Sequence, residues 1–495
     1  MIELVTKGNL DPNAFEFDAV GKLIKPKANS TSFEDVLVFP EPQGLIRVDW
    51  WGDAIPTANV GKQEYTGRSR IVIDGVAWEG KSKFKTQGAG SIGYPKKNLS
   101  LKFYDSDDNR LKVKIGDSCV FTDFVFKAEY TDGSKANNYI CYKLIEQMTK
   151  CRGAFPSHEV DYAWLGDTGN VPTGMPSGAV GYVKIWPCVM YHNDVFYGVG
   201  NLIIKEDLAN FNIDENNPNH THFEFDGRGT INGDSQPNWN RLDPALTDQV
   251  QLSMSLTQDR EDAIMRLNAL VTGTQQNFND HALECFDKRN LIDCYLLLEL
   301  VFGWDNVVMD LDFVSYDNQK FYIFLYDFDL SLSIGLPDGV DYLASPTDPL
   351  VLDNTSEPSK TLWVLMRNAW GSEIRARYGE LRSRGVFSAA NIAAHGKRIA
   401  GLFTPELLTM EYAKWPASFY QIHTIAQIMS WITARLTWLD GEMGYVPHDY
   451  YVTAVYQGSD PDFPRPDGAG PVYWMTGTKP IDAKEGDYII TEMDI

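Results

Sequence analysis

The sequence predicts an α+β protein with a β-rich N-terminal region, a mainly helical C-terminal region and a short β-like C-terminal tail. Three observations predict it. Short alternating or β-branched runs separated by glycine turns fill residues 44–204. Apolar residues at helical spacing dominate the second half. Beyond about Pro447 the chain becomes rich in Pro, Gly and Asp before a last aromatic stretch.

Taken in order, residues 1–43 are polar, with scattered Pro, Asn and Asp, and read as an N-terminal arm. Residues 44–204 carry the strands, among them Leu45–Val48, Arg70–Ile73, Lys83–Lys85, Leu99–Phe103, Val183–Trp186 and Tyr197–Ile204. Asp74-Gly75 is a two-residue hairpin signal. One helix interrupts them, from Asn137 to Met148, with Ile140, Leu144, Ile145 and Met148 on one face. Residues 205–245, dense in Asn, Gly and Pro, read as an irregular insertion. Residues 246–446 carry helical spacing at 259–270, 291–302, 361–384, 391–402 and 425–439, broken by a β-hairpin whose arms are Val307–Tyr316 and Lys320–Phe328. Residues 447–495 read as a linker and a docking tail.

The chain has 495 residues, 43% of them hydrophobic and 13% aromatic, which is enough for a sizeable core and excludes disorder, collagen and a coiled-coil rod. Forty-four basic against 67 acidic residues give a formal charge of −23, which argues against nucleic acid and anionic membranes as partners. No apolar run approaches the ~20 residues of a membrane span. Met1-Ile-Glu-Leu-Val lacks the basic and apolar regions of a secretory signal, so export by that route is not expected. The six cysteines form no Cys-x-x-Cys pair and read as reduced, buried thiols.

Two clusters carry chemistry. Gly88, Gly90 and Gly93 match G-x-G-x-x-G, but an alternating strand from Leu99 follows instead of the helix that dinucleotide binding requires. A glycine loop between two strands, with Lys96 and Lys97 just beyond, is closer to a kinase-type phosphate clamp, or to a plain hairpin with a mobile tip. The second cluster is acidic. Asp305, Asp310, Asp312, Asp317, Asp327 and Asp329 surround the apolar run Phe321–Tyr326. Carboxylates at the end of a buried strand repel unless something positive lies between them, and a hard cation such as Mg²⁺ suits that role. Solvated turn aspartates and a glycosidase carboxylate pair are the alternatives. His220 and His222 alternate on one strand and read as a solvated face sooner than as metal ligands.

In this order, these features resemble the CotH-like spore-coat protein kinase family. The resemblance runs from about Arg70 to Gly335, and more loosely to Leu439. It rests on Gly88–Phe103, on Phe126–Asp132 with Asn137 and Asn138, on Tyr197–Asp207, and on Leu291–Asp329. It implies an atypical kinase-like fold that uses ATP and Mg²⁺ or Mn²⁺. It further implies Lys97 as the phosphate-contacting lysine beside the glycines, Asp305 as the catalytic aspartate, and Asp327 with Asp329 at the metal. Three positions depart from the family pattern. Gln87 stands where an arginine is usual, Ile204 where a glutamate is usual, and Asp312, which still allows metal binding, where an asparagine is usual. Glutamine cannot replace a bidentate arginine, and without the glutamate the lysine loses its orienting partner.

Residues 377–388 and the ending Val472–Pro480 with Gly486-Asp487-Tyr488 are similar to segments of bacteriophage tail-associated proteins. The first expectation is therefore a virion structural protein of the tail or adsorption apparatus, on a CotH-like scaffold of weak activity. It would dock on other tail proteins through its two ends, as a homo-oligomer or not. The second is an active ATP- and Mg²⁺-dependent kinase or nucleotidyl transferase, residing in the virion or else in the cytoplasm. The third is a carbohydrate-binding adhesin using some of the 13 Trp and 24 Tyr.

Overall fold

The computed structural model describes residues 36–59, 61–88, 90–105, 107–151, 182–205, 208–211, 213–228, 237–334, 343–352, 357–416 and 423–446, with short strands at 15–17, 23–26, 473–475 and 488–490. Strands β1 (Phe15–Phe17) and β2 (Leu23–Pro26) pair antiparallel. Strand β3 (Val36–Phe39) pairs in parallel with β8 (Lys112–Ile115) and buries Phe39, so this stretch of the expected arm belongs to the β-rich part.

Seven strands close a barrel: β4 (Ile46–Gly52), β5 (Glu64–Ile73), β6 (Val76–Gln87), β7 (Asn98–Phe103), β9 (Asp123–Lys127), β10 (Ile185–His192) and β11 (Val195–Ile204). The parallel pairing of β4 with β10, Ile46 opposite Cys188, makes the closure. Alternation explains the barrel. Ile46, Val48, Trp50, Phe84, Leu99, Leu101, Phe124, Phe126 and Leu202 point inward and are fully buried, while the residues between them face outward. Asp74 and Gly75 take positive φ, as a two-residue hairpin requires.

Helix α1 (Asn137–Lys150) leaves the barrel, capped by Asp132, whose Oδ2 accepts the amides of Ala136 and Asn137 at 2.7 and 2.8 Å. The expected insertion is not wholly irregular. It contains β12 (Thr221–Phe225), which with β13 (Val250–Leu252), β14 (Leu311–Ser315) and β15 (Phe321–Leu325) forms a four-stranded sheet in the order β13-β12-β14-β15. The hairpin strands are shorter than their sequence pattern because Asp310 and Asp327, at positive φ, end the extended backbone. Helices α2 (Gln258–Val271), α3 (Gln275–Cys285), α4 (Lys288–Val301), α5 (Thr361–Ser383), α6 (Ala389–Leu402), α7 (Pro405–Lys414) and α8 (Ile425–Met443) complete the region. Two of them, α3 and α7, have no counterpart in the sequence reading. Both begin at a Thr N-cap. Helix α4 is buried almost all round, and the pairs Glu299–Arg435 at 2.5 Å and Asp293–Arg377 at 2.8 Å tie it to α8 and α5.

The fold is thus mixed, β-rich first and helical second. No helix among the described residues is long and apolar enough to cross a membrane. All six cysteines are free, and five are buried. Strands β16 (Tyr473–Met475) and β17 (Tyr488–Ile490) belong to a second unit, residues 439–495, and pair in parallel. The expected linker at 457–471 lies outside the described residues.

Candidate functional site

The glycine loop and the acidic hairpin meet. One polar cavity is lined by Ser91, Tyr94, Lys96 and Asn98 from the loop and β7, by Lys127, Glu129 and Tyr130 from the end of β9 and just beyond it, by Asn138 from α1, and by Asp327 and Asp329. Three segments far apart in sequence converge because β7 and β9 are neighbours in the barrel, α1 begins shortly after β9 ends, and the start of α1 bonds to the backbone of the acidic loop.

Within the loop only Gly88 has a conformation that demands glycine, with φ +112 and a side-chain position that Ser91 Oγ would occupy. Residues 91–93 form one 3₁₀ turn, and the space beside Gly90 and Gly93 is open. Lys97 is not in the cavity. Its ammonium donates to the carbonyls of Ile92 and Tyr94 at 2.8 and 2.5 Å and closes the loop from inside. Lys96 lines the cavity wall but is also committed. Its ammonium, fully buried, donates to Ala128 O (2.7 Å), Val199 O (2.5 Å) and Glu411 Oε1 (2.5 Å). Burial lowers its pKa to about 8 against the pull of Glu411. Glu411 lies on α7, 315 residues away in sequence, and also accepts the amide of Val199. The place of the missing strand glutamate, Ile204, is a buried core position.

The lysine that meets the carboxylates is Lys127, whose ammonium is 2.9 Å from Asp327 Oδ2. Beside it, Glu129 sits at positive φ, fully buried, accepting from Asn201 Nδ2 (2.8 Å) and Asn138 Nδ2 (3.0 Å). Burial, reinforced by Asp132, raises its pKa to about 7 despite these amides. The first turn of α1 clamps the acidic loop. Asn138 Oδ1 accepts the Phe328 amide at 2.7 Å, Asn137 Nδ2 donates to Ser331 O at 2.8 Å, and Tyr142 OH accepts the Asp327 amide at 3.2 Å. Thr131 donates to Asp329 Oδ2 at 2.6 Å.

Asp305 does not line the cavity. It follows α4 in a short 3₁₀ turn, and its neighbour Asn306 holds Tyr326 O at 2.5 Å, so the two acidic segments are tied together. Burial raises Asp305 to about 6; Asp327 and Asp226 push the same way, against Arg228. Asp310 and Asp329 are raised well above the usual carboxylate range by burial and then by neighbouring aspartates. The cluster is therefore short of positive charge.

Two expected members stand elsewhere. Asp312 faces a different, mostly apolar cavity between α1, α4 and β15, with His222 Nε2 3.5 Å away. Asp317 serves the hairpin turn, accepting the amides of Gln319 and Lys320. His222 is buried, not solvated, and burial lowers it to about 3. His220 accepts the Asp214 amide and orders its loop.

Lys127, Glu129 and Glu411 join the site residues only in the folded chain. The first two carried a signal, a Lys and a Glu on either side of Ala128 at the end of an aromatic strand. Glu411 carried none, since nothing near it in sequence marks its lysine partner. These features define an α+β protein in which a glycine loop and an acidic hairpin share one cleft. The CotH kinase protein family matches residues 84–439, more than two thirds of the chain, and the chain belongs to that family. A search of the curated proteins gives no match.

Proposed function

We propose that the cleft transfers a phosphoryl group from ATP, with a divalent metal, on an atypical kinase-like scaffold. One observation carries this reading: Ser91 and Tyr94 of the glycine loop line the same cavity as Asp327 and Asp329. The donors suit Mg²⁺ or Mn²⁺, being carboxylates alone. Among the described residues no three His, Cys, Asp or Glu side chains group to hold a metal by themselves. Mg²⁺ takes one or two protein carboxylates and completes its shell with phosphate oxygens and water. Asp327 and Asp329 would hold it, and the bound ion would offset charge on the transferred phosphoryl group.

The chain's own residues have separable tasks. Lys127 faces the cavity and takes the phosphate-contacting role that Lys97 cannot. Glu411 holds Lys96 and with it the strand that follows the glycine loop, replacing the carboxylate absent at Ile204. Asp305 stands outside the cavity and acts on it only through Asn306, which ties its turn to the acidic loop at Tyr326 O. A thermal-shift titration with ADP and Mn²⁺ tests the reading. The expected result is a rise of several degrees in the native chain and none in Asp327→Ala. No rise in the native chain removes the nucleotide site.

A second reading, a structural part of a phage tail, draws on the C-terminal segment. The two halves of its aromatic motif pair there, Tyr473 opposite Tyr488. Deleting residues 472–495 should abolish incorporation into particles.

A further inference from the structure

The outer face of the barrel beside the cleft carries a row of cations. Strand β6 presents Lys81, Lys83 and Lys85 at alternate positions, so all three stand on one face, spanning about 13 Å. Across the ladders Arg68 is opposite Lys81, and Lys83 is opposite Lys102. Like charges placed directly opposite destabilise a sheet, while Glu64 opposite Lys85 and Asp123 opposite Lys102 offset part of that repulsion. Burial lowers the Lys102 pKa, and Arg110, Lys85 and Lys205 lower it further against Glu64. Acids answer only part of this. Glu79 pairs with Arg68, Asp108 with Lys81, Glu64 with Lys83 and Asp123 with Arg110. No ion pair involves Lys85 or Lys102 among the described residues. In a chain of formal charge −23, a row of cations along one sheet face is the exception.

The stripe leads to the cleft. Gln87, two residues beyond Lys85, is opposite Asn98, and Asn98 lines the cavity. Lys85, opposite Ser100, is one step out, and the Lys83–Lys102 pair is the second. We infer that this stripe docks an extended acidic peptide whose acceptor hydroxyl reaches the cleft. An extended peptide repeats its side chains on one side every ~6.7 Å, the spacing of Lys85, Lys83 and Lys81. The substrate class is therefore a protein segment with Asp or Glu at every second position beside the acceptor. A long polyanion such as nucleic acid meets the net negative charge of the whole molecule, whereas a segment with three carboxylates meets mainly the stripe.

The inference rests on the transfer reading, so its test omits nucleotide. The probe is a fluorescein-labelled peptide with one Ser and Glu at alternate positions, titrated by anisotropy against the full chain. Expected are a Kd at least tenfold weaker for K83Q/K85Q/K102Q, weaker binding from 50 to 300 mM NaCl, and a Tm for that variant near the native one, which shows its fold intact. An unchanged Kd overturns the inference. So does tighter, lysine-dependent binding of a single-stranded oligonucleotide of equal charge. Lysine-dependent peptide binding together with no rise in Tm on adding ADP and Mn²⁺ would uphold the stripe and discard the transfer reading.

Discussion

Glu129 shows how burial and hydrogen bonds compete at one residue. Two asparagine amides favour its charged form, yet burial wins and lifts its pKa from 4.5 to about 7. A carboxyl whose pKa is raised in the folded state contributes most below about pH 4.5, and that contribution is lost as the pH rises through about 7. The native chain should therefore lose up to about 3 kcal/mol of stability over that interval relative to Glu129→Gln. Urea unfolding of both proteins at pH 5, 6 and 7.5 reads the difference, and parallel profiles would refute it. Part of this residue scale was visible in the sequence. Asp327 and Asp329 could be singled out because they follow a run of six apolar residues. Choosing between Lys96, Lys97 and Lys127 could not be done, because it depends on which ammonium the loop carbonyls capture.

At the scale of elements, the first turn of α1 is the part that organises the cleft. Asn137 and Asn138 open it, Tyr142 follows one turn beyond Asn138, and each holds a backbone group of the segment 327–331. Asn138 does two jobs at once, accepting from Phe328 and donating to Glu129. Asn138→Ala should cost roughly 1–3 kcal/mol by leaving a buried amide without its acceptor. Chemical denaturation measures that cost, and a loss under 0.5 kcal/mol would show that the clamp is dispensable. The helix itself was legible from Ile140, Leu144 and Met148. Its use was not, because polar residues on a helix face carry no mark of what they will hold. Strand β12 was legible from the alternation at His220 and His222, but its place in a sheet was not. Turn-forming Asn, Gly and Pro surround it, and only its partner β14 gives Thr221–Phe225 a sheet to join.

Across the whole molecule, the alternation of short strands and the helical spacing of the second half were sufficient for the α+β order. Closure of the barrel was not legible, because the contact of β4 with β10 joins segments more than 130 residues apart. The Lys96–Glu411 pair is the same kind of long-range fact, joining β7's approach to α7. Glu411→Ala should destabilise the chain by about 3–5 kcal/mol by stranding a buried ammonium, and Lys96→Met together with Glu411→Leu should recover most of it. Additive losses in that double-mutant cycle would mean that the two side chains do not act as a pair.

That pairing also sets a schedule. The last barrel strand ends at Ile204, and α7 follows about 200 residues later, so at the ~5–20 residues per second of synthesis an interval of about 10–40 s separates them. Throughout it the newborn β-region holds a lysine whose carboxylate has not yet been made. Either that corner stays wet and unfinished until α7 arrives, or another acid stands in for Glu411 on the way.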